Sequence, residues 1–290
     1  RETGRPAAGS KIAKSNQAGH RHSSVPVSRD GRGIEMLKVQ VLASVMNQDP
    51  DRVIQRMGLE SDAVIINQCD RLGYEEVEHR GHLVRFYSFP ERGVGRSRNE
   101  AILRADGDIC LFADEDIVYE PGYAGAVAAE FQRNPQADMI IFQVEVEESR
   151  RTYEIRERKR VHWYNCGRYG AVGFALRRES LLSSGVMFSL LFGGGAKYSN
   201  GEDSLFLKEF MDKGYRVYTA PVTIGREVSG GESTWFAGYN EKFFRDRGVL
   251  YRYLYGRLDW LMCLRFLLAH RKKVCAQVGV WQAYRWMKWH

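Results

Sequence analysis

The sequence predicts an α/β protein with a largely parallel sheet, and three observations carry that expectation. Short apolar runs recur along the chain, among them Val39–Val45, Ala63–Ile66 and Ile109–Ala113. Each is too short for a helix and reads as a buried strand. Helix-like segments lie between them, which is the alternation of a sheet covered by helices.

Val39–Val45 is the first strand. Asp49–Met57 follows as a helix starting near Pro50. Ala63–Ile66 is a second buried strand and Leu83–Tyr87 a third. Ser97-Arg98-Asn99-Glu100 has capping-box spacing, so it opens a helix that runs to about Ala105. Asp106-Gly107-Asp108 is a turn. Ile109–Ala113 is a fourth strand and Met139–Val144 a fifth. Further on, Glu202-Asp203 opens a helix over Ser204–Lys213, with Leu205, Phe206, Phe210 and Met211 inward and Gly214 capping its end. In such sheets ligands bind at the carboxyl ends of the strands, so the loops after Val45, Ile66 and Ala113 are the places to search.

The chain has 290 residues, of which 44% are hydrophobic and 27% charged. That is one large domain with appendages, and it excludes wholesale disorder, a collagen-like fibre and a disulfide mini-protein. Cys69, Cys110, Cys166, Cys263 and Cys275 are odd in number and form no CxxC pair, which favours reduced thiols in a cytoplasmic setting. The longest uncharged run, Ser180–Ala196, carries serines and glycines and makes a poor bilayer span. The net charge of +7 is uneven: residues 1–35 carry +4, residues 36–241 carry −6 and residues 242–290 carry +9. An acidic middle disfavours nucleic acid as a partner. Residues 1–35 lack apolar periodicity and read as a disordered tail without a secretory core. Met36, directly before the first strand, would serve as a natural start, the tail then being foreign to the protein.

Three places carry chemistry. Asp114-Glu115-Asp116 ends the fourth strand, and adjacent carboxylates repel one another. A hard divalent cation such as Mg²⁺ or Mn²⁺ would offset that repulsion and could hold a diphosphate; a solvated acidic turn is the plainer reading. Asp203 either caps its helix or points into a cleft as a general base. The basic, glycine-containing stretch Glu91–Asn99 precedes a helix N-terminus and suits phosphate contact through Arg98; an exposed loop is the alternative. Gly193–Tyr198 reads as a mobile loop over a site or as a plain linker. GxGxxG, GxxxxGK[ST] and GxSxG are all absent, so no dinucleotide, P-loop or nucleophile-elbow site is supported.

In their order along the chain these pieces resemble the family 2 glycosyltransferases of the GT-A fold. The resemblance rests on Ser97-Arg98-Asn99, then Ala105–Asp108, then Phe112–Asp116, then Gly201-Glu202-Asp203, and covers roughly residues 38–228. Gly193–Phe206 and Ser233–Phe236 are similar to small bacterial members that build exopolysaccharide or capsule. The resemblance implies a GT-A domain over residues 36–241 and inverting transfer from a nucleotide-diphosphate sugar, with a UDP-sugar as the expected donor, to a glycan or lipid-linked acceptor. It implies Asp116 and Asp114 as the DxD carboxylates holding metal and donor, Asp203 as general base and Glu202 as acceptor ligand. It places Arg98 near the nucleotide, and Ala43 and Ser44 beside the base. Asn67 or Asp70 would stand in for the family's acidic base reader. Gly225-Arg226-Glu227-Val228 lacks the family's late histidine, so Arg226 would contact the diphosphate. A sugar-phosphate nucleotidylyltransferase would need a GxGxR signature that Val45–Asp49 lacks. A non-catalytic sugar-binding module would not need both carboxylate motifs.

Residues 242–290 hold 11 basic groups, 2 acidic groups and 11 aromatics. Tyr251, Leu254, Leu258, Leu261, Met262, Arg265 and Phe266 recur at helical spacing. The expectation is a basic amphipathic extension in peripheral contact with the inner face of the plasma membrane, against a helix that simply packs on the domain.

Overall fold

The computed structural model describes residues 37–147, 153–228 and 238–288. The expected tail over residues 1–35 and the stretch Ser233–Phe236 lie outside the described residues. Among the described residues the strands are β1 (Val39–Met46), β2 (Asp62–Gln68), β3 (Gly73–His79), β4 (His82–Phe89), β5 (Ile109–Asp114), β6 (Ile117–Tyr119), β7 (Met139–Glu145), β8 (Phe174–Arg177) and β9 (Val217–Glu227). They form one sheet in the order β3-β4-β2-β1-β5-β8-β7-β9-β6. The run β4-β2-β1-β5 is parallel, as is β7 with β9; β3, β8 and β6 run antiparallel to their neighbours.

Burial explains the continuous apolar runs. Val41, Ala43, Ala63 and Ile65 face one core with residues of α1 (Pro50–Met57). Leu42, Val64 and Ile66 face the other core with residues of α2 (Val94–Ile102). Farther along, α3 (Tyr123–Arg133) joins the first layer, while α4 (Arg178–Ser184) and α5 (Glu202–Asp212) join the second. A strand covered on both faces has no reason to alternate.

Two expectations need correction here. Leu83–Tyr87 is the core of the fourth strand, because β3 precedes it as an edge hairpin arm. The turn is Arg80-Gly81, with φ of 52° and 79°, the left-handed pair a two-residue hairpin demands. β3 is mostly polar and, as the first strand of the sheet, has no neighbour on its outer edge among the described residues, so it leaves no apolar signal. Ser97 does not cap a helix: α2 begins at Val94, its N-cap is Gly93, and no side chain caps it. The far helix closes as expected at Lys213-Gly214: Gly214 has φ of +93° and its N–H donates to the Met211 carbonyl at 2.9 Å.

The C-terminal segment is α6 (Glu241–Tyr255), α7 (Asp259–Ala269), the short α8 (Arg271–Val274) and α9 (Val280–Lys288). The single helix expected through residues 251–266 is broken at Gly256, whose φ of 52° and ψ of −120° lie outside the helical region. These helices share a core of Phe244, Cys263, Leu267, Ala283 and Met287. Residues Met36–His290 form one compact unit. α6 is seated by Leu250 and Leu254 on Phe192, and by Asp246, whose carboxylate accepts the Ser199 N–H and hydroxyl. No helix among the described residues is long and apolar enough to cross a membrane.

Gly201 marks the contact between α5 and α6. Its φ is +119°, and a Cβ there would lie 2.6 Å from the Leu250 methyls. Gly201→Ala should lower the unfolding free energy by about 1–3 kcal/mol, measured as a reduced urea midpoint. An unchanged midpoint would mean that Leu250 moves aside freely.

Candidate active site

The parallel register aligns the carboxyl ends of β1, β2 and β5, so that Ser44 lies between Ile66 and Asp114. Helix α2 then lays Ser97, Arg98 and Asn99 against those ends. The Ser97 hydroxyl donates to the Ile66 carbonyl at 3.4 Å. Asn99 exchanges two hydrogen bonds with the Phe188 backbone, at 2.9 and 2.7 Å. Arg98, 3% exposed, turns inward.

Three carboxylates meet its guanidinium. Nη2 donates to both oxygens of Asp114 at 3.0 Å. Nη1 donates to Glu202 at 3.1 Å and to Asp203 at 2.9 Å. Phe188 packs under the guanidinium at 5.2 Å, and Nε has no partner among the described residues. Burial works against the Arg98 charge, but the three carboxylates outweigh it and raise its pKa. Arg98 thus joins the end of β5 to the start of α5. Both Nη atoms are engaged by carboxylates, and the Nε–H is the one donor of Arg98 left without a partner among the described residues.

Glu202 and Asp203 sit in the first turn of α5, where the helix dipole favours negative charge. Neither acts as the N-cap, which is Gly201; the capping reading of Asp203 fails. Glu202 also accepts the Gly201 N–H at 3.1 Å. Asp203 is mostly buried. Burial, with Glu202 beside it, holds its pKa well above the usual carboxylate range despite Arg98. Glu202 is held from below by Gly193, where a Cβ would approach its carboxyl carbon to 2.8 Å. Gly193–Tyr198 is packed against the site: the Gly194 carbonyl accepts from the Val94 N–H at 3.1 Å and the Gly193 N–H donates to the Tyr198 carbonyl at 2.9 Å.

The acidic triplet divides by direction. Glu115 turns away and accepts the Met46 N–H at 2.8 Å. Asp114 faces Arg98. Asp116 is pushed up to about 7 by burial, then by Asp114 and Glu227. No cluster of three or more His, Cys, Asp or Glu side chains able to hold a metal forms among the described residues. Asp116, which accepts nothing from Arg98 and is crowded by Asp114, Glu115 and Glu227, fits a hard cation that takes one carboxylate here and its other oxygens from a diphosphate.

The remaining expected residues are distributed as follows. Ser44 accepts from Gln68 Nε2 at 3.2 Å, and Gln68 Oε1 accepts the Gly93 N–H at 2.7 Å. Ala43 is fully buried within β1 and cannot flank a ligand with its side chain. Asn67 is buried and hydrogen-bonded to the Gln48 backbone and Ser88. Asp70 is exposed and paired with Arg92 at 2.6 Å. Asn67 and Asp70 nonetheless line an open cleft of about 320 Å³ with Asn47, Gln48, Cys69 and Arg71. Arg226 is not brought to the carboxylates: it is exposed and faces Glu120 at 3.5 Å, while its neighbour Glu227 acts on Asp116. Phe188 and Gln68 were not foreseen. Neither has a sequence signal, since each matters only through what it touches.

Glycosyl transferase family 2 is matched by residues 39–188 of the chain. No curated protein matches it. Among solved structures, S. aureus TarS 1–349 in complex with UDP-GlcNAc is 15% identical, with 83% of this chain and 74% of that one covered and a TM-score of 0.58. The same piece of TarS in complex with UDP has the same identity and coverage and a TM-score of 0.55. At that identity the likeness is one of fold.

The charge on Asp116 is disfavoured by its surroundings. Its folded-state pKa lies above the unfolded value, so the neutral form's stabilisation is complete below about pH 4 and lost as pH rises through about 7. In EDTA, Asp116→Asn should therefore raise stability by roughly 1–3 kcal/mol near pH 8 and by little near pH 4. Chemical denaturation at the two pH values checks this; an equal effect at both would remove burial as the cause.

Proposed function

The chain belongs to glycosyl transferase family 2, and from that premise we propose an inverting, metal-assisted transfer of a sugar from a nucleotide-diphosphate donor to an acceptor hydroxyl. The protein is a glycosyltransferase; the donor, acceptor and residue roles that follow are the proposal. The observation that carries it is the Arg98 bridge, which sets the strand-end carboxylate Asp114 and the helix-start carboxylate Asp203 on one cation.

In this reading the nucleotide lies over the ends of β1 and β2, with its base towards the cleft at Asn67 and Asp70 and its ribose beside Ser44. Asp116, with Asp114, would hold Mg²⁺ or Mn²⁺, which when bound neutralises charge on the leaving diphosphate. Asp203 takes the proton of the acceptor hydroxyl as that oxygen attacks the anomeric carbon from the face opposite the leaving group. A raised pKa brings a carboxylate closer to the operating pH, which suits a general base. Glu202 helps to orient the acceptor. Arg98 acts from behind, fixing the distance between the two ends of the reaction. TarS shares the fold and was crystallised with UDP-GlcNAc, so UDP-sugars lead the donor panel. The acceptor is a glycan, free or lipid-linked, and the enzyme works at the cytoplasmic face of the membrane with residues 242–290 in contact.

Purified protein with a panel of nucleotide sugars and Mn²⁺ should release nucleotide diphosphate. Asp203→Asn should leave the fold intact and reduce transfer roughly 10²–10⁴-fold; unchanged transfer would exclude Asp203 as the base. Because the base must be unprotonated, the wild-type rate should rise with pH through about 8. Asp116→Ala should abolish turnover, and EDTA should do the same to the wild type. Full activity in EDTA would remove the metal.

A further inference from the structure

Helix α7 is apolar on the side that packs and also on the side that does not. Cys263 and Leu267 are buried in the core of the C-terminal helices. On the outward arc beside it Trp260, Leu261 and Leu268 are 50%, 45% and 52% exposed, with the half-buried Leu264 between them. Positions 260, 264 and 268 are one helical turn apart, and 261 lies beside them. A solvated helix would carry polar residues on this arc.

The surrounding charge is of one sign and is not neutralised locally. Residues 242–290 contain two acids, Asp246 and Asp259, and both are buried and already paired, with Lys242 and Lys288. Arg257, Arg265 and the run Arg271-Lys272-Lys273 are exposed and form no ion pair among the described residues. An apolar arc rimmed by unpaired cations complements a surface with acyl chains inside and anionic headgroups outside.

We infer that the outward face of α7 docks on an anionic lipid bilayer. Trp260, Leu261 and Leu268 enter the headgroup boundary, and the rim of arginines and lysines meets the lipid phosphates. This deepens the reading above by locating the membrane contact, and rests on it only in that a lipid-linked acceptor gives the contact a purpose.

The test uses the full chain and vesicles of phosphatidylcholine, with or without about one-third phosphatidylglycerol. The protein should co-sediment with the anionic vesicles and not the neutral ones, and salt should release it. Leu261→Gln/Leu268→Gln should weaken binding by about tenfold or more while nucleotide-sugar turnover in buffer stays unchanged. Equal binding to both vesicles, or wild-type binding by the variant, overturns the inference. So does a dimer in ultracentrifugation that this variant dissociates, since the face would then cover a second copy. Should the variant not fold, brominated phosphatidylcholine in the anionic vesicles should quench tryptophan emission, and Trp260→Phe should remove most of the quenching. Absence of quenching also overturns it. Failure of the wild type to turn over any nucleotide sugar would bear on the catalytic reading alone.

Discussion

One buried guanidinium sets the geometry of the rest. Arg98 is on α2, Asp114 ends β5, and Glu202 and Asp203 start α5, more than a hundred residues away in sequence from Arg98. Removing the cation from this cluster would leave three partly buried carboxylates facing one another, a larger cost than an exposed ion pair is worth. Everything near α2 accommodates that placement. Gly95 admits the Ser189 carbonyl, to which a Cβ would come within 2.5 Å. Asn99 grips the segment that delivers Phe188, and Phe188 supplies the flat underside of the guanidinium. Ser, Arg and Asn stand together because each of three consecutive residues has a separate anchoring role.

The opposition of charges also explains why this site remains poised. Asp116 and Asp203 are each held towards their neutral forms by burial and by neighbouring carboxylates. Such an arrangement lowers stability at neutral pH, and proteins keep it where the chemistry needs it. The glycine at 193 shows the same compromise, since it gives up side-chain packing to let the backbone pass beneath Glu202.

Much of the fold was legible because both faces of the central strands are covered, which writes itself as runs such as Val39–Val45 and Ala63–Ile66. What stayed hidden had no apolar record. Strand β3 is a polar edge, and its only mark is the short Arg80-Gly81 turn. The start of α2 was misplaced because Ser97 has the right neighbours for a cap, yet its hydroxyl is engaged across the sheet by Ile66. At the site, spacing pointed to Asp114, Asp116, Glu202, Asp203 and Arg98. It did not reveal that Arg98 faces the carboxylates, nor that Arg226 points elsewhere, because side-chain direction is fixed by partners distant in sequence. The break at Gly256 was likewise invisible to a count of helical spacings.

The seat of α6 has a bearing on ancestry. Gly201 immediately precedes the Glu202-Asp203 pair, and the surface that Gly201 leaves open is filled by Leu250 from the C-terminal helices. Helix α6 therefore backs the turn that carries the Glu202-Asp203 pair, and is tied to it by packing rather than attached as a free module. A graft that brought a foreign α6 would have to bring a side chain shaped to the same hollow, so this stretch and the carboxylate pair should be inherited together.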